Sequence, residues 1–283
     1  MISISVVSGS SEKNLDICLD SLTQSIKSIE SKIIVTDNCS KWDVGAVVKK
    51  RFPDAEIIKN EVPAGFGSNH NNALLGRNDD FALVINDDLE FRADTINQLL
   101  ILAGEKENGA IFGPILYPGS WDDGFVAAGG TLGERLPKPI LHAISMNLRA
   151  LFGDKFIKRY LTKRDSSEIP KDEAKAYISG ACCLIRRSFI QKHSLYDPEY
   201  YMYFDDIDLG KRAREAGWEC WQSGKAAVLH REGGSFSSNT WKWMTESNLR
   251  YVRKYHGILV YLLCKILLAF LKVILFFKKR KTT

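Results

Sequence analysis

The chain has 283 residues, of which 45% are hydrophobic and 26% are charged, with 21 glycines and 8 prolines. These proportions are typical of a globular protein and exclude collagen-like, low-complexity and wholly disordered chains. The length is sufficient for one large α/β domain or two small ones. The six cysteines form no Cys-x-x-Cys pair, so we expect neither a disulfide framework nor a zinc knuckle, and a reducing compartment is favoured.

The net charge of +5 is concentrated in two segments. Six Lys and Arg residues follow Gly257 without any acidic residue, and the rest of the chain has 33 basic and 34 acidic residues. A second basic cluster lies in Glu134–Arg164, where eight Lys and Arg residues face two acids. Both segments are rich in apolar residues. This distribution argues against a nucleic-acid-binding protein and favours contact with a membrane surface.

Strands and helices alternate in the first third of the chain. The predicted elements in chain order are a strand at 2–7, a helix at 14–29, a strand at 32–36, a helix at 44–52, a strand at 56–59, the start of a helix at 71–75 and a strand at 81–85. This alternation predicts βαβ units and a parallel sheet, whose ligands bind at the carboxyl ends of the strands. The second half is less regular, with apolar runs at 176–185 and 226–229 and a helix across 206–216.

Two carboxylates, Asp87 and Asp88, directly follow the last of these strands. A pair of this kind can hold a hard divalent cation, which would neutralise a diphosphate, although acidic pairs also occur at ordinary turns and helix caps. His230 follows another apolar run and precedes Gly233-Gly234. It is either a structural histidine or a nitrogen ligand of the same cation. Arg231, or the backbone amides of the two glycines, would then contact phosphate.

The segment Ala64–Asn72 is rich in glycine and asparagine. Its glycines permit close backbone approach, and its amides can bind a nucleotide or a sugar. It is not a dinucleotide-binding fingerprint, because His70 stands at the third glycine position, and it lacks the Gly-Lys-Ser/Thr of a P-loop. The alternative is an ordinary turn before a helix.

Three aspartates, Asp205, Asp206 and Asp208, follow an aromatic run. On a helix Asp205 and Asp208 share a face, whereas Asp206 points elsewhere. A carboxylate beside an aromatic wall can have a raised pKa and act as a general base. The alternative is a helix start whose acids complement the helix dipole.

These segments, in this order, resemble the inverting nucleotide-sugar glycosyltransferases of family 2, and within them the bacterial rhamnosyltransferase-like branch. The resemblance covers residues 2–236, and its motifs are "IIVTDNCS", "AGFGSNHNNAL", "LVINDD", "YISGACCLIRRS", "YYMYFDDIDLGKRAREAGW" and "AVLHREGGS". It implies an α/β GT-A fold, with a Rossmann-like mixed sheet flanked by helices. We expect this catalytic domain over residues 1–240 and a helical, membrane-associating segment over 241–283.

The resemblance also implies roles for individual residues. Asp37 would contact the nucleotide base, Asp87 the donor ribose or sugar, and Asp206 would be the catalytic base. The remaining assignments are Val7, Ser8, Gly65, Asn69 and Asn71 on the nucleotide and donor side, Gly180 and Ala181 on the acceptor side, and Asp88 and His230 as ligands of Mg²⁺ or Mn²⁺. Asp205 stands where the family more often has Glu, so the choice of base between Asp205 and Asp206 stays open.

The implied reaction is a single displacement, in which a base acts on the acceptor hydroxyl and a cation stabilises the departing diphosphate. The resemblance implies transfer of a rhamnose-like or other hexose from a dTDP- or UDP-sugar. The two apolar basic segments lead us to expect a lipid-linked or polysaccharide acceptor, as in bacterial surface glycan assembly. The alternative is a catalytically silent nucleotide-sugar-binding or scaffold protein of the same fold. Its support is Ser8-Gly9-Ser10, where the family usually has a Thr-Tyr-Asn-like run.

Residues 257–277 are almost continuously apolar and long enough to span a bilayer, but Lys265 and Lys272 nearly cancel the gain from insertion. We therefore expect residues 257–281 to lie on the cytoplasmic face of a bacterial cell membrane, with spanning as the minor alternative. A helix packed on the body of the protein, or on a homodimer partner, is the other alternative. Residues 139–161 have similar amphipathic spacing and form either a membrane-facing insertion or a core helix.

Overall fold

The computed structural model describes residues 1–119, 121, 171–231 and 239–280. The strands in these residues are β1 (Ile2–Ser8), β2 (Ser31–Asp37), β3 (Glu56–Lys59), β4 (Phe81–Asn86), β5 (Leu89–Phe91), β6 (Gly109–Pro118), β7 (Glu173–Lys175), β8 (Cys182–Arg186) and β9 (Glu219–His230). The helices are α1 (Glu12–Ser25), α2 (Val44–Lys49), α3 (Phe66–Leu74), α4 (Thr95–Glu105), α5 (Arg187–His193), α6 (Asp205–Glu215) and α7 (Thr240–Arg280).

The nine strands described form one sheet in the order β3-β2-β1-β4-β8-β6-β9-β5, and β7 also pairs with β9. The first four strands are parallel to one another, as the alternation of strands and helices predicted. The strand β8 is antiparallel to both β4 and β6, and β6 is parallel to β9. The sheet is therefore mixed, which confirms the fold expected from the resemblance.

The apolar residues of β1 explain its central position. Ile4 and Val6 are fully buried and belong to one apolar cluster with Leu15 and Leu19 of α1. The opposite face of the same strand carries serines, of which Ser5 lies 2.8 Å from the Nδ1 atom of a buried histidine on α3. Helices thus cover both faces of the strand, as expected for the parallel part of an α/β sheet.

Several boundaries differ from the predicted ones. Helix α3 begins at Phe66 rather than at residue 71, because Gly65 is its N-cap and the glycine- and asparagine-rich segment forms its first turns. Helix α1 ends at Ser25, four residues before the predicted end. The sequence reasoning did not identify β5, α4, β6 or α5 as separate elements.

The described residues divide into two compact units. The first contains residues 1–119, 121, 171–201 and 205–231, and the second contains Met202–Phe204 and 239–280. In the second unit, Ser247 donates a hydrogen bond of 2.8 Å to the Met202 carbonyl, and the rings of Phe204 and Tyr251 are 5.6 Å apart. Helix α7 is interrupted at Gly257, which has non-helical angles of φ 79° and ψ 173°.

In the part of the chain that the structure covers, no helix has the length and apolar character needed to cross a membrane. The predicted amphipathic segment 139–161 and the Gly233-Gly234 pair lie outside the described residues.

Candidate active site

The sheet brings several of the predicted site residues to one edge. Strands β1 and β2 run side by side and end together at Ser8 and Asp37, while Val7 is the neighbour of Asn86 at the end of β4. Strand β9 ends at His230 and has the same direction, because β8 is antiparallel to both β4 and β6 and β6 is parallel to β9. The carboxyl ends of β1, β2, β4, β6 and β9 therefore share an edge, the usual ligand-binding edge of such sheets.

Asp88 and His230 contact each other at this edge. The Nε2 atom of His230 lies 3.1 Å from Oδ2 of Asp88, and their side chains are 15% and 11% exposed. The pairing of Leu89 with His230 between β5 and β9 fixes this approach. The other carboxylate oxygen of Asp88, Oδ1, is buried and has no hydrogen-bond partner. A buried carboxylate oxygen without a donor, next to an imidazole nitrogen, has the chemistry of a divalent cation site.

A larger ligand cluster is not found here: the described residues contain no group of three or more His, Cys, Asp and Glu side chains placed to hold a metal ion. The neighbouring Arg231 forms an ion pair with Glu90, which also accepts a 3.1 Å hydrogen bond from Nε1 of Trp121. The Arg231 guanidinium group, next to the Asp88–His230 pair, is therefore already paired with a carboxylate.

Asp87 is bound to the turn that follows β1. Its Oδ2 atom accepts hydrogen bonds from the backbone amides of Gly9 at 2.8 Å and Ser10 at 2.9 Å. Burial raises the pKa of Asp87 to about 6, and these amides oppose the rise. The Ser8-Gly9-Ser10 turn is thus held through its backbone, so its unusual side chains do not prevent the contact.

The side chains of Asp37 and Ser8 both lie against Ser40. Asp37 accepts a 2.8 Å hydrogen bond from the Ser40 amide, and the two serine hydroxyl oxygens are 3.2 Å apart. Val7, one residue before Ser8, is half-buried. These residues form one wall at the ends of β1 and β2.

Asn69 and Asn71 have their side-chain amides engaged by the protein. Asn69 accepts a 2.7 Å hydrogen bond from Asn60, which also donates to Asn38 at 2.9 Å. Asn71 donates to the Tyr196 carbonyl at 2.8 Å and accepts from the Tyr196 amide at 2.9 Å. Both side chains therefore fasten α3 to neighbouring loops.

Gly65 permits a close contact between two chain segments. A Cβ atom at this position would lie 2.6 Å from the Tyr201 carbonyl oxygen, which accepts a 2.8 Å hydrogen bond from the amide of Phe66. Only a glycine leaves room for this backbone. The contact joins the start of α3 to the segment that precedes α6.

The Asp206 carboxylate is hydrogen-bonded to the backbone of the loop before β8. Its Oδ2 atom accepts a 3.2 Å hydrogen bond from the Gly180 amide, and its Oδ1 atom accepts one of 2.8 Å from the Ile207 amide. The carbonyl of Ala181, the residue after Gly180, accepts a 2.8 Å hydrogen bond from the Asn86 amide at the end of β4. Asp206 is half-buried, and this burial raises its pKa, while the two amides act in the opposite direction.

The other two acids of α6 have different surroundings. Asp205 is 4% exposed, and its Oδ2 atom has no hydrogen-bond partner. Burial, and then the charge of Asp206, raise the pKa of Asp205 well above its usual range. Asp208 is fully buried and binds the Arg212 Nε atom at 2.8 Å.

The backbone before α6 has an unusual conformation. Tyr203 and Phe204 have φ angles of 68° and 65°, in the left-handed region that costs a residue with a Cβ about 1–2 kcal/mol. Strain of this kind is concentrated at functional sites, where the surrounding structure maintains it. It lies directly before Asp205 and Asp206.

Sequence reasoning did not single out Phe66, although its ring lies at the centre of these contacts. A Cβ atom on Gly180 would be 3.0 Å from the Phe66 ring, and the ring is 4.5 Å from that of His70 and 5.5 Å from that of Tyr196. The available signal was a phenylalanine between two glycines, Gly65 and Gly67, where a purely flexible loop has no need for one.

The mixed sheet with its flanking helices is the fold of the GT-A glycosyltransferases. The sequence model described as glycosyl transferase family 2 matches residues 3–194, which is more than half of the chain. The chain therefore belongs to glycosyl transferase family 2 and is a glycosyltransferase, which favours the enzyme over the catalytically silent alternative.

Two kinds of comparison support this assignment. N-acetylglucosaminyl-diphospho-decaprenol L-rhamnosyltransferase of Mycobacterium tuberculosis (strain CDC 1551 / Oshkosh) is 26% identical over 216 residues, which cover 72% of this chain and 67% of that protein. Among solved structures, GalNAc-T7 with UDP, GalNAc and Mn²⁺ matches with a TM-score of 0.59 and 15% identity, over 89% of this chain and 47% of that one.

The mannosyltransferase PcManGT from Pyrobaculum calidifontis, in complex with GDP-Man and Mn²⁺, matches with a TM-score of 0.55 and 9% identity, over 89% of this chain and 64% of that one. The chain thus spans about half the length of the GalNAc-T7 chain and about two thirds of the mannosyltransferase chain. At these identities the two structures establish a common fold.

Proposed function

We propose that this glycosyltransferase moves a hexose from a nucleotide-diphosphate donor to an acceptor hydroxyl, with inversion at the anomeric carbon. The observation that carries the proposal is that one edge of the sheet holds two carboxylates with different surroundings. Asp88 lies beside His230, whereas Asp206 accepts a hydrogen bond from the amide of Gly180. The first arrangement suits a cation and the second suits a base, and a single displacement needs both.

Asp88 and His230 would hold the divalent cation, Mg²⁺ or Mn²⁺. The buried, unpartnered Oδ1 atom of Asp88 and the Nε2 atom of His230 offer one oxygen and one nitrogen ligand. Two protein ligands are sufficient, because such cations are commonly completed by substrate phosphates and water. The cation, when bound, supplies positive charge for the departing diphosphate. The Mn²⁺ in the GalNAc-T7 and PcManGT structures supports this assignment.

Asp206 would accept the proton of the acceptor hydroxyl. Its carboxylate is half-buried and its two hydrogen bonds come from backbone amides, so it retains lone pairs for a substrate proton. Its raised pKa makes it a stronger base than an ordinary aspartate. Asp205 is less suited to the role, because its side chain is sealed from solvent. Gly180 and Ala181 would then border the acceptor.

The donor nucleotide would bind along the ends of β1 and β2. Asp37 and Ser8 share the Ser40 contact and would border the base, next to Val7. Asp87 would act on the donor by fixing the turn after β1. We propose that Gly65, Asn69 and Asn71 shape the donor side through their contacts with loops.

The donor and acceptor are proposed from the rhamnosyltransferase relative, whose name specifies a lipid-diphosphate-linked N-acetylglucosamine. We propose a dTDP- or UDP-sugar as donor, with rhamnose or another hexose, and a lipid-linked or polysaccharide acceptor in bacterial surface glycan assembly. With such an acceptor, we propose that the reaction takes place at the cytoplasmic face of the cell membrane. Residues 1–240 would form the catalytic domain and 241–283 the helical, membrane-associating segment.

Calorimetric titration of the full chain with UDP, dTDP and GDP, with and without Mn²⁺, tests the donor and metal sites. We expect metal-dependent binding of UDP or dTDP and its loss in Asp88→Ala. The matched control is Asp54→Ala, which removes an exposed acid just before the amino end of β3, at the edge of the sheet opposite to the carboxyl ends. If none of the three nucleotides binds under either condition, the proposed function is wrong.

Transfer assays with Asp206→Asn test the base. We expect transfer to fall by at least about a hundredfold while nucleotide binding is unchanged, because proton transfer by a positioned base contributes on this scale. Asp205→Asn should retain most of the activity. Unchanged transfer in Asp206→Asn would exclude this residue as the base.

A further inference from the structure

The segment after Gly257 carries an exposed apolar face. Eleven large hydrophobic side chains are exposed in the described residues, and six of them lie within thirteen positions of this segment. These six are Ile258, Leu259, Leu262, Leu263, Ile266 and Phe270. Single exposed apolar residues are normal on a soluble protein, but a contiguous group marks an interaction surface.

The six residues follow helical spacing, so most of them form a stripe along one side of the helix. Leu259 and Ile266, at 79% and 68% exposure, are seven residues apart and lie near its centre. The opposite side of the same helix is covered, since Cys264 is 1% exposed and Leu268 is 8% exposed. The helix therefore has one apolar side that is buried within the protein and a second apolar side that is exposed.

Positive charge flanks the stripe. Lys265 is exposed beside it, and its Nζ atom lies 5.5 Å from the centre of the Tyr261 ring, which also has the Arg253 guanidinium at 5.9 Å. In the sequence, six Lys and Arg residues and no acid follow Gly257. An apolar stripe with a basic flank matches an anionic lipid surface, where apolar side chains enter the acyl region and lysines reach the phosphates. A second copy of the chain would bring the same positive charge, which opposes pairing through this face.

The break at Gly257 separates this segment from the first half of α7. Its φ of 79° is in the left-handed region, which glycine adopts without steric cost. In the half before the break, Tyr251 and Val252 are buried. The exposed stripe begins immediately after the break, so the change of surface coincides with the change of helix.

We propose that the helical segment after Gly257 lies flat on an anionic phospholipid surface, with the stripe toward the acyl chains and Lys265 at the headgroups. The proposal rests on the proposed function in one respect, namely that a lipid-linked acceptor would lie in the same surface. Binding of the donor nucleotide does not depend on it.

Sedimentation of the full chain with phosphatidylcholine vesicles, with and without phosphatidylglycerol, tests the proposal. We expect binding to the anionic vesicles and a loss of about twentyfold or more in the double variant Leu263→Asp, Ile266→Asp, because two apolar side chains leave the acyl region. Lys265→Gln should lose about fivefold on anionic vesicles and little on neutral ones. The matched control is Val62→Asp, an exposed apolar residue of the first unit that should bind as the unaltered chain does.

Light scattering after size exclusion identifies the competing occupant. A chain that is dimeric, becomes monomeric in the double variant and does not sediment with vesicles would place a second copy on the stripe and overturn the proposal. Equal sedimentation of the chain and the double variant would also overturn it. Titration of the double variant with UDP or dTDP and Mn²⁺ keeps the two proposals distinct, since lost vesicle binding with retained nucleotide binding concerns the stripe alone.

Discussion

Gly180→Ala is expected to disturb the protonation of Asp206 mainly through the backbone amide that donates to its carboxylate, since the added Cβ atom would be in ordinary contact, 3.7 Å, with the Cβ atom of Asp206. The new Cβ atom would be 3.0 Å from the Phe66 ring, which is closer than ordinary contacts allow. The Phe66 ring also packs against the rings of His70 and Tyr196, at 4.5 Å and 5.5 Å between ring centres, and these contacts restrict its movement. We therefore expect the backbone at residue 180 to shift, and its 3.2 Å hydrogen bond to Asp206 is already long.

The size of the effect follows from that hydrogen bond. A bond to a charged group contributes about 1.5–3 kcal/mol, which is about ten- to hundredfold in the equilibrium between ionised and protonated Asp206. The Gly180 amide stabilises the ionised form and so lowers the pKa of Asp206 against the effect of burial. Its loss raises that pKa further. Since a base acts in its ionised form, the variant should need a higher pH to reach full activity.

The assay is the pH dependence of kcat/KM for the unaltered chain and for Gly180→Ala. We expect the acid side of the profile to move to higher pH and the two alkaline plateaus to be similar. The double variant Gly180→Ala, Phe66→Leu should recover part of the shift, because the smaller side chain leaves room for the Cβ atom. A profile that keeps its position while the rate falls equally at every pH would refute the reasoning, and so would the absence of recovery in the double variant.

Arg212→Ala should lower the free energy of unfolding, measured in urea, by about 3–5 kcal/mol, because the fully buried Asp208 carboxylate loses the guanidinium group that is paired with it. A loss below about 1 kcal/mol would contradict this. Gly67→Ala should lower the free energy of unfolding by about 1–3 kcal/mol, the usual cost of overpacking, since its Cβ atom would lie 2.6 Å from that of Tyr196. Gly104→Ala, also on a helix but with no atom within 4 Å of its Cβ, should raise the free energy of unfolding by about 0.5–1 kcal/mol. If the two alanine variants change stability in the same direction, the steric argument is wrong.

The first four strands were predicted to within one residue at each boundary, and the reason is physical. Residues such as Ile4 on β1 and Leu83 on β4 are completely buried, so these strands are short apolar runs bounded by polar turns. Parallel strands covered by helices on both faces have this pattern, and it is visible without any knowledge of long-range contacts.

The start of α3 was not predictable in the same way. Local propensity favours a loop, since Gly65, Gly67 and Asn69 are poor helix formers. The helix is held by groups more than a hundred residues away, where the Tyr201 carbonyl binds the Phe66 amide. The antiparallel insertion of β8 is equally invisible, because the apolar period of a strand does not record the direction of its neighbours.

The three aspartates of α6 show how much of a site can be predicted from a sequence motif. The sequence predicts that Asp205 and Asp208 share a face, and both are buried, whereas Asp206 is half-buried. Asp208 is paired with Arg212, so its charge stabilises the folded structure. Asp205 has burial and the charge of Asp206 against its ionisation. Asp206 is the only one of the three that is partly exposed, and backbone amides favour its ionised form against the effect of burial. An accessible carboxylate that can be ionised is what the proposed role as base requires.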